Sequence, residues 1–126
     1  MRAVDTNVLV RVLVRDDRKQ TDLAEEYIAR GAWVSHLVLA EAMWVLRSKY
    51  ALPHHEIATV IELLLDHTQF ALQEPDVVEA ALDHYRAKPS IGFSDCLVLE
   101  IARKVGHLPL GTFDRMLNRL DGATRP

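Results

Sequence analysis

Hydrophobic positions occur in short blocks along the chain, and their spacing alternates between two kinds of element. Residues 2–4 read as a short strand that runs into Asp5. Residues 9–14 are apolar around Arg11, and the turn-prone run Arg15, Asp16, Asp17, Arg18 follows. Thr21 or Asp22 can cap a helix carrying Leu23, Ala24, Tyr27 and Ile28, with Gly31 as its stop. Residues 32–35 form a second strand candidate, and 37–50 a helix with Leu37, Val38, Val45 and Leu46 apolar. Pro53 suits the first turn of the next helix, whose stripe is Ile57, Val60, Ile61, Leu64 and Leu65.

Residues 70–72 make a third strand candidate. Asp76 and Glu79 have capping spacing and open a helix through Val77, Ala80, Ala81 and Tyr85. After a loop at 89–92, Ser94 or Asp95 starts a helix through Val98, Leu99, Ile101, Ala102 and Val105, closed by Gly106. Residues 108–110 are a fourth strand candidate, and 115–120 a short helix. Strands alternating with helices of this length predict an α/β fold, with a parallel sheet covered by helices on both faces. Ligands in such sheets gather beyond the carboxyl ends of the strands.

Four acidic residues interrupt this apolar pattern: Asp5, Glu41, Asp95 and Asp114. Asp5 follows the first strand and Asp114 lies just past the fourth, so a parallel sheet would direct both from one edge. Glu41 shares a helical stripe with Leu37, Trp44 and Ser48, which predicts partial burial. Asp95 falls in the first turn of its helix, where the helix dipole favours a carboxylate. Taken singly, Asp95 and Asp114 read equally well as caps or turn residues. Taken together, the four predict a cation, because unit charges about 4 Å apart repel by roughly 4 kcal/mol at an effective dielectric near 20. An all-oxygen set selects Mg²⁺ or Mn²⁺ over zinc or copper. Asn7 and Thr112 flank the acids and can hold a carboxylate or a water in place, or make only local turn bonds.

The 126 residues fit one domain, 1–126, and the composition, 49% hydrophobic and 26% charged, is that of an ordinary globular protein. No apolar run approaches the roughly 18–20 residues that span a bilayer, so no membrane role is expected and the cytoplasm is the default location. The single cysteine, Cys96, excludes an internal disulfide and reads as a small core residue. The net charge of −3 excludes a basic polymer-coating module. Arginine-rich segments nevertheless offer phosphate contacts, for which Arg11, Arg15, Arg47, Arg86, Lys88 and Arg115 are the candidates. The histidines lack metal-binding spacing.

The segments Asp-Thr-Asn-Val-Leu-Val-Arg at 5–11, Glu41 with Trp-Val-Leu-Arg-Ser at 44–48, Phe-Ser-Asp-Cys-Leu at 93–97 and Thr-Phe-Asp-Arg at 112–115 together resemble a PIN domain. The nearest type is VapC, the toxin half of bacterial type II toxin–antitoxin pairs. The resemblance covers nearly the whole chain. It implies an α/β/α sandwich with a central, mostly parallel sheet of four to five short strands. It places the acidic quartet on Asp5, Glu41, Asp95 and Asp114, with Asn7 and Thr112 supporting. It implies hydrolysis of RNA phosphodiesters with Mg²⁺ or Mn²⁺, a homodimer, and a cognate antitoxin whose tail enters the acidic groove, giving a heterotetramer or larger assembly. The polar C-terminus leaves a fifth edge strand open. Two other folds gather acids at a sheet edge. A receiver domain needs an Asp after the third strand, where Gln73 stands, and a haloacid-dehalogenase-like phosphatase needs one at Asn7. A non-catalytic, RNA-binding PIN fold is the remaining alternative.

Overall fold

A computed structural model describes residues 1–126 and carries six α-helices and five short strands in alternation. The chain divides into two compact units, Met1–Pro75 and Asp76–Pro126. The first contains β1 (Arg2–Ala3), α1 (Thr6–Val14), α2 (Arg18–Ile28), β2 (Ala32–Val34), α3 (His36–Ser48), α4 (His54–Asp66) and β3 (Phe70–Leu72). Its strands form a parallel sheet in the order β1-β2-β3, with Arg2 opposite Ala32 and Val34 opposite Leu72. Parallel neighbours need a crossover, and here each crossover is a pair of packed helices, α1 with α2 and α3 with α4.

The run at 9–14 is part of a helix. Asp5, in extended conformation, accepts a hydrogen bond on Oδ1 from the Val8 N–H at 3.1 Å and so caps α1. Arg15 ends that helix in the left-handed region, φ 60°, with its N–H donating to the Arg11 carbonyl. The next helix starts a turn earlier than Thr21 or Asp22 would place it, because Asp17 is its cap and accepts from the Gln20 N–H at 3.0 Å. Thr21 is buried inside α2.

On α3 the buried positions are His36, Leu39, Ala42, Met43 and Leu46. The expectation that Glu41 is partly buried is therefore corrected. Its stripe faces solvent, with Leu37 69% and Trp44 67% exposed and Glu41 itself exposed. Apolar content misassigned the stripe, since the helix buries the adjacent one instead.

The second unit holds most of α5 (Pro75–Ala87), then α6 (Phe93–Lys104), β4 (Leu110–Gly111), a 3₁₀ turn (Leu117–Arg119) and β5 (Ala123–Thr124). Val78, Ala81, Cys96 and Leu99 are fully buried, and Tyr85 meets Phe93 edge to face at 5.8 Å. β4 and β5 pair in parallel, with Leu110 opposite Ala123. A fifth strand therefore forms, but the five strands make a three-stranded and a two-stranded sheet rather than one. The α/β class holds.

Glu100, only 6% exposed, fastens the end of this unit. It accepts Arg103 Nε at 3.1 and 3.2 Å and lies 2.9 Å from His84 Nε2. Arg103 Nη2 also donates to the Asp121 carbonyl at 2.7 Å. The next residue, Gly122, has φ +98°, and a Cβ there would lie 3.0 Å from Arg103 Nη2. The left-handed backbone angle favours glycine at that position. No helix is long and apolar enough to cross a membrane.

Candidate active site

In the first unit, Asp5 and Glu41 are linked through Thr6. Asp5 sits where β1 passes into α1 and spends Oδ1 on the cap. Thr6 is the first residue of α1, and its Oγ1 donates to Glu41 Oε2 at 2.8 Å across to α3, which packs on α1. The contact leaves Asp5 Oδ2 and Glu41 Oε1 without a protein donor. Sequence reasoning passed over Thr6 in favour of Asn7. The Asn7 side chain is exposed and lines a cavity together with Asp5. The signal for Thr6 was its position one residue after a capping acid, a place from which a hydroxyl reaches a packed neighbour.

In the second unit, Asp95 and Asp114 form a different kind of pair. Helix α6 begins at Phe93 with Gly92 as its cap, so Asp95 lies inside the first turn and its carboxylate caps nothing. The residue is half-buried, and its carboxylate accepts no hydrogen bond from the protein. Burial raises its pKa above its ordinary value, and the charge of Asp114 raises it further. Asp114 follows β4 in a tight turn. Its Oδ1 accepts from the Met116 and Leu117 N–H groups at 2.9 and 2.8 Å, while its own N–H donates to Thr112 Oγ1 at 3.0 Å. Asn118 Nδ2 donates to the Thr112 carbonyl at 2.7 Å and closes the turn. Thr112 thus shapes the loop that presents Asp114.

The buried Cys96 thiol is pushed up to about 12, mainly by desolvation and then by Asp95, so it is inert as a nucleophile at neutral pH. Of the arginines suggested for phosphate contact, Arg11 is bonded to Gln20 and Asp16, and Arg15 is paired with Glu25. Arg47 reaches the Leu52 carbonyl at 3.4 Å, and Arg115 is exposed.

None of the four acids is ion-paired to a lysine, arginine or histidine. Each keeps at least one carboxylate oxygen free of protein donors. No set of three or more His, Cys, Asp or Glu side chains is gathered closely enough to hold a metal ion. The local bonds explain how Asp5, Glu41 and Asp114 are held individually, through a cap, a threonine and a turn. The donors themselves suit a hard divalent cation: all are oxygens, and Asp95 is a desolvated carboxylate destabilised by a second one.

The chain matches the family model of the PIN domain over residues 2–123. No curated protein matches the chain.

Proposed function

The chain belongs to the PIN domain family, whose members are generally metal-dependent nucleases, and from that premise we propose that it is an endoribonuclease dependent on Mg²⁺ or Mn²⁺. The observation that carries this reading is the state of the four acids. Asp5, Glu41, Asp95 and Asp114 have uncommitted oxygens and no cationic side chain to neutralise them. Ordinary surface carboxylates tolerate that arrangement, but the half-buried Asp95 beside Asp114 does not do so without cost.

A divalent ion held by carboxylates of this set would offset phosphate charge and make a bound water more acidic. The residues themselves have separable tasks. Thr6 fixes Glu41 through Oε2 and leaves Oε1 to accept a proton from the attacking water. Hydrolysis then forms a bond from the water oxygen to phosphorus and breaks one phosphorus–oxygen bond of the strand. The Thr112 turn keeps the second oxygen of Asp114 available.

The biological role we propose is that of a VapC-type toxin: a cytoplasmic homodimer that cleaves RNA and is restrained by a small cognate antitoxin in a heterotetramer or larger complex. The resemblance of the four acidic segments to that type supports it.

The test is cleavage of a mixed RNA pool by the purified chain with Mg²⁺ or Mn²⁺, with chelator, and with Asp5→Asn. Cleavage is expected only in wild-type protein with metal. Cleavage that persists in chelator sinks the metal-dependent reading. For the toxin role, induced expression should arrest growth, and co-expression of a small neighbouring gene should relieve the arrest.

A further inference from the structure

Two cavities in the first unit share a wall. One, of about 500 Å³, starts at Asp5 and is lined by Asn7, Arg11, Gln20, Leu23 and Tyr27. The other, of about 830 Å³, continues past the same Leu23 and Tyr27 to Arg2, Glu26 and Arg30. Both are within the range of ligand-binding clefts, roughly 300–1,000 Å³. Together they make one trench along α2, open at its start to the carboxylate placed in the catalytic set above.

Its chemistry changes along its length. Next to Asp5 it offers amides. Asn7 has no protein partner, and Gln20 spends Oε1 on Arg11 Nε at 2.7 Å, which leaves its Nε2 to donate. In the middle it is apolar and aromatic. Leu23 is 59% exposed, and Tyr27 is fixed by its hydroxyl on the Ala3 carbonyl at 3.4 Å. At the far end it is cationic. Arg2 lies 3.8 Å from the Tyr27 ring centroid and donates to the Tyr27 carbonyl at 3.0 Å. Arg30 is exposed and makes no bond to the protein. Neither guanidinium is offset by a carboxylate, although Glu26 lines the same cavity, whereas Arg11 and Arg15 are both paired.

We infer that the trench from Asp5 through Leu23 and Tyr27 to Arg2 and Arg30 is the path of single-stranded RNA next to the scissile phosphate. The inference rests on the nuclease reading for its starting point and adds the direction and the residues. A flexible strand needs an apolar or aromatic platform for its bases and cations for its phosphates, and this trench supplies the platform in its middle and the cations at its far end.

The test is binding without cleavage: anisotropy of a labelled eight-nucleotide single-stranded RNA in chelator, across a salt series. Arg30→Glu touches no other residue and should weaken binding about ten-fold or more at low salt. Arg2→Ala with Arg30→Ala should lower the slope of log affinity against log salt by roughly 1.4, about 0.7 for each phosphate no longer neutralised. Arg18→Ala with Lys19→Ala, on the same helix but away from the trench, should stay within about two-fold of wild type. Equal losses in that control overturn the inference. So does unchanged RNA affinity in Arg30→Glu, or a change confined to the chain's own self-association. A protein that binds through the trench but never cleaves keeps this inference and ends the nuclease reading. One that cleaves with KM unaltered by Arg30→Glu does the reverse.

Discussion

The two pairs of acids solve the same problem differently. Asp5 and Glu41 face solvent, and each is held by an ordinary structural bond, a helix cap in one case and a threonine hydroxyl in the other. Water screens their charges, so the fold gives up little to keep them. Asp95 is half-buried with no donor, and it feels the charge of Asp114. Asp5, Glu41 and Asp114 are built into the local structure, whereas Asp95 is kept against local stability. A residue that costs stability where it stands is a stronger sign of function than one that also caps a helix.

The comparison can be broken most directly at activity. Asp5→Asn and Asp95→Asn should each lower RNA cleavage by about a hundred-fold or more, because each removes a charge the reaction needs. Initial-rate assays at saturating Mn²⁺ would show it. A pair of variants in which only one loses activity would separate the two sites.

The next largest effect is on stability and lies outside both pairs. Glu100→Ala should destabilise the protein by about 3 kcal/mol, because it strands a part-buried Arg103 and His84. Urea unfolding would measure it. A loss below about 1 kcal/mol would mean that Glu100 does not hold the Gly122 segment.

Opposite signs are expected within the acids themselves. Asp5→Ala should cost about 1 kcal/mol through removal of the cap, whereas Asp5→Asn, which still caps, should be close to neutral. Asp95→Asn should instead raise Tm slightly, by roughly 1–3 °C. The folded-state pKa of Asp95 is raised, so the folded protein binds the extra proton between the unfolded and folded values. Stability therefore falls as pH rises through that window, and the full cost is present at neutral pH. The Asn variant should lose this pH dependence. Thermal melts from pH 3 to 7 test it, and a lower Tm for Asp95→Asn at neutral pH would remove the strain argument.

The smallest effect belongs to Thr6→Val. It should lower kcat several-fold by freeing Glu41, leave KM unchanged and cost less than about 1.5 kcal/mol. Rescue by Thr6→Ser would tie the loss to the hydroxyl.

The three strands of the first unit were legible because each is short and runs into a polar break at Asp5, Ser35 or Gln73. Helix α1 was not, since Val8, Val10, Val12 and Val14 alternate as a strand would. The decisive signal was Asp5 as a cap, and the acid read for chemistry turned out to serve the helix too. Strand β5 was obscured because its pairing is made by the backbone of a polar segment, with Thr112 N–H donating to the Thr124 carbonyl at 2.9 Å. The candidate acids were visible because carboxylates stand out in apolar runs. Thr6 and the Glu100–Arg103 bond were not, since both depend on which helix faces meet.

The central claim is that these carboxylates serve a hard divalent cation. Its most direct test is a calorimetric Mn²⁺ titration of the wild-type protein, Asp5→Asn and Asp95→Asn. Saturable binding by wild type, weakened at least ten-fold in both variants, is the predicted result. Binding that is absent in wild type, or equally tight in all three, would contradict it.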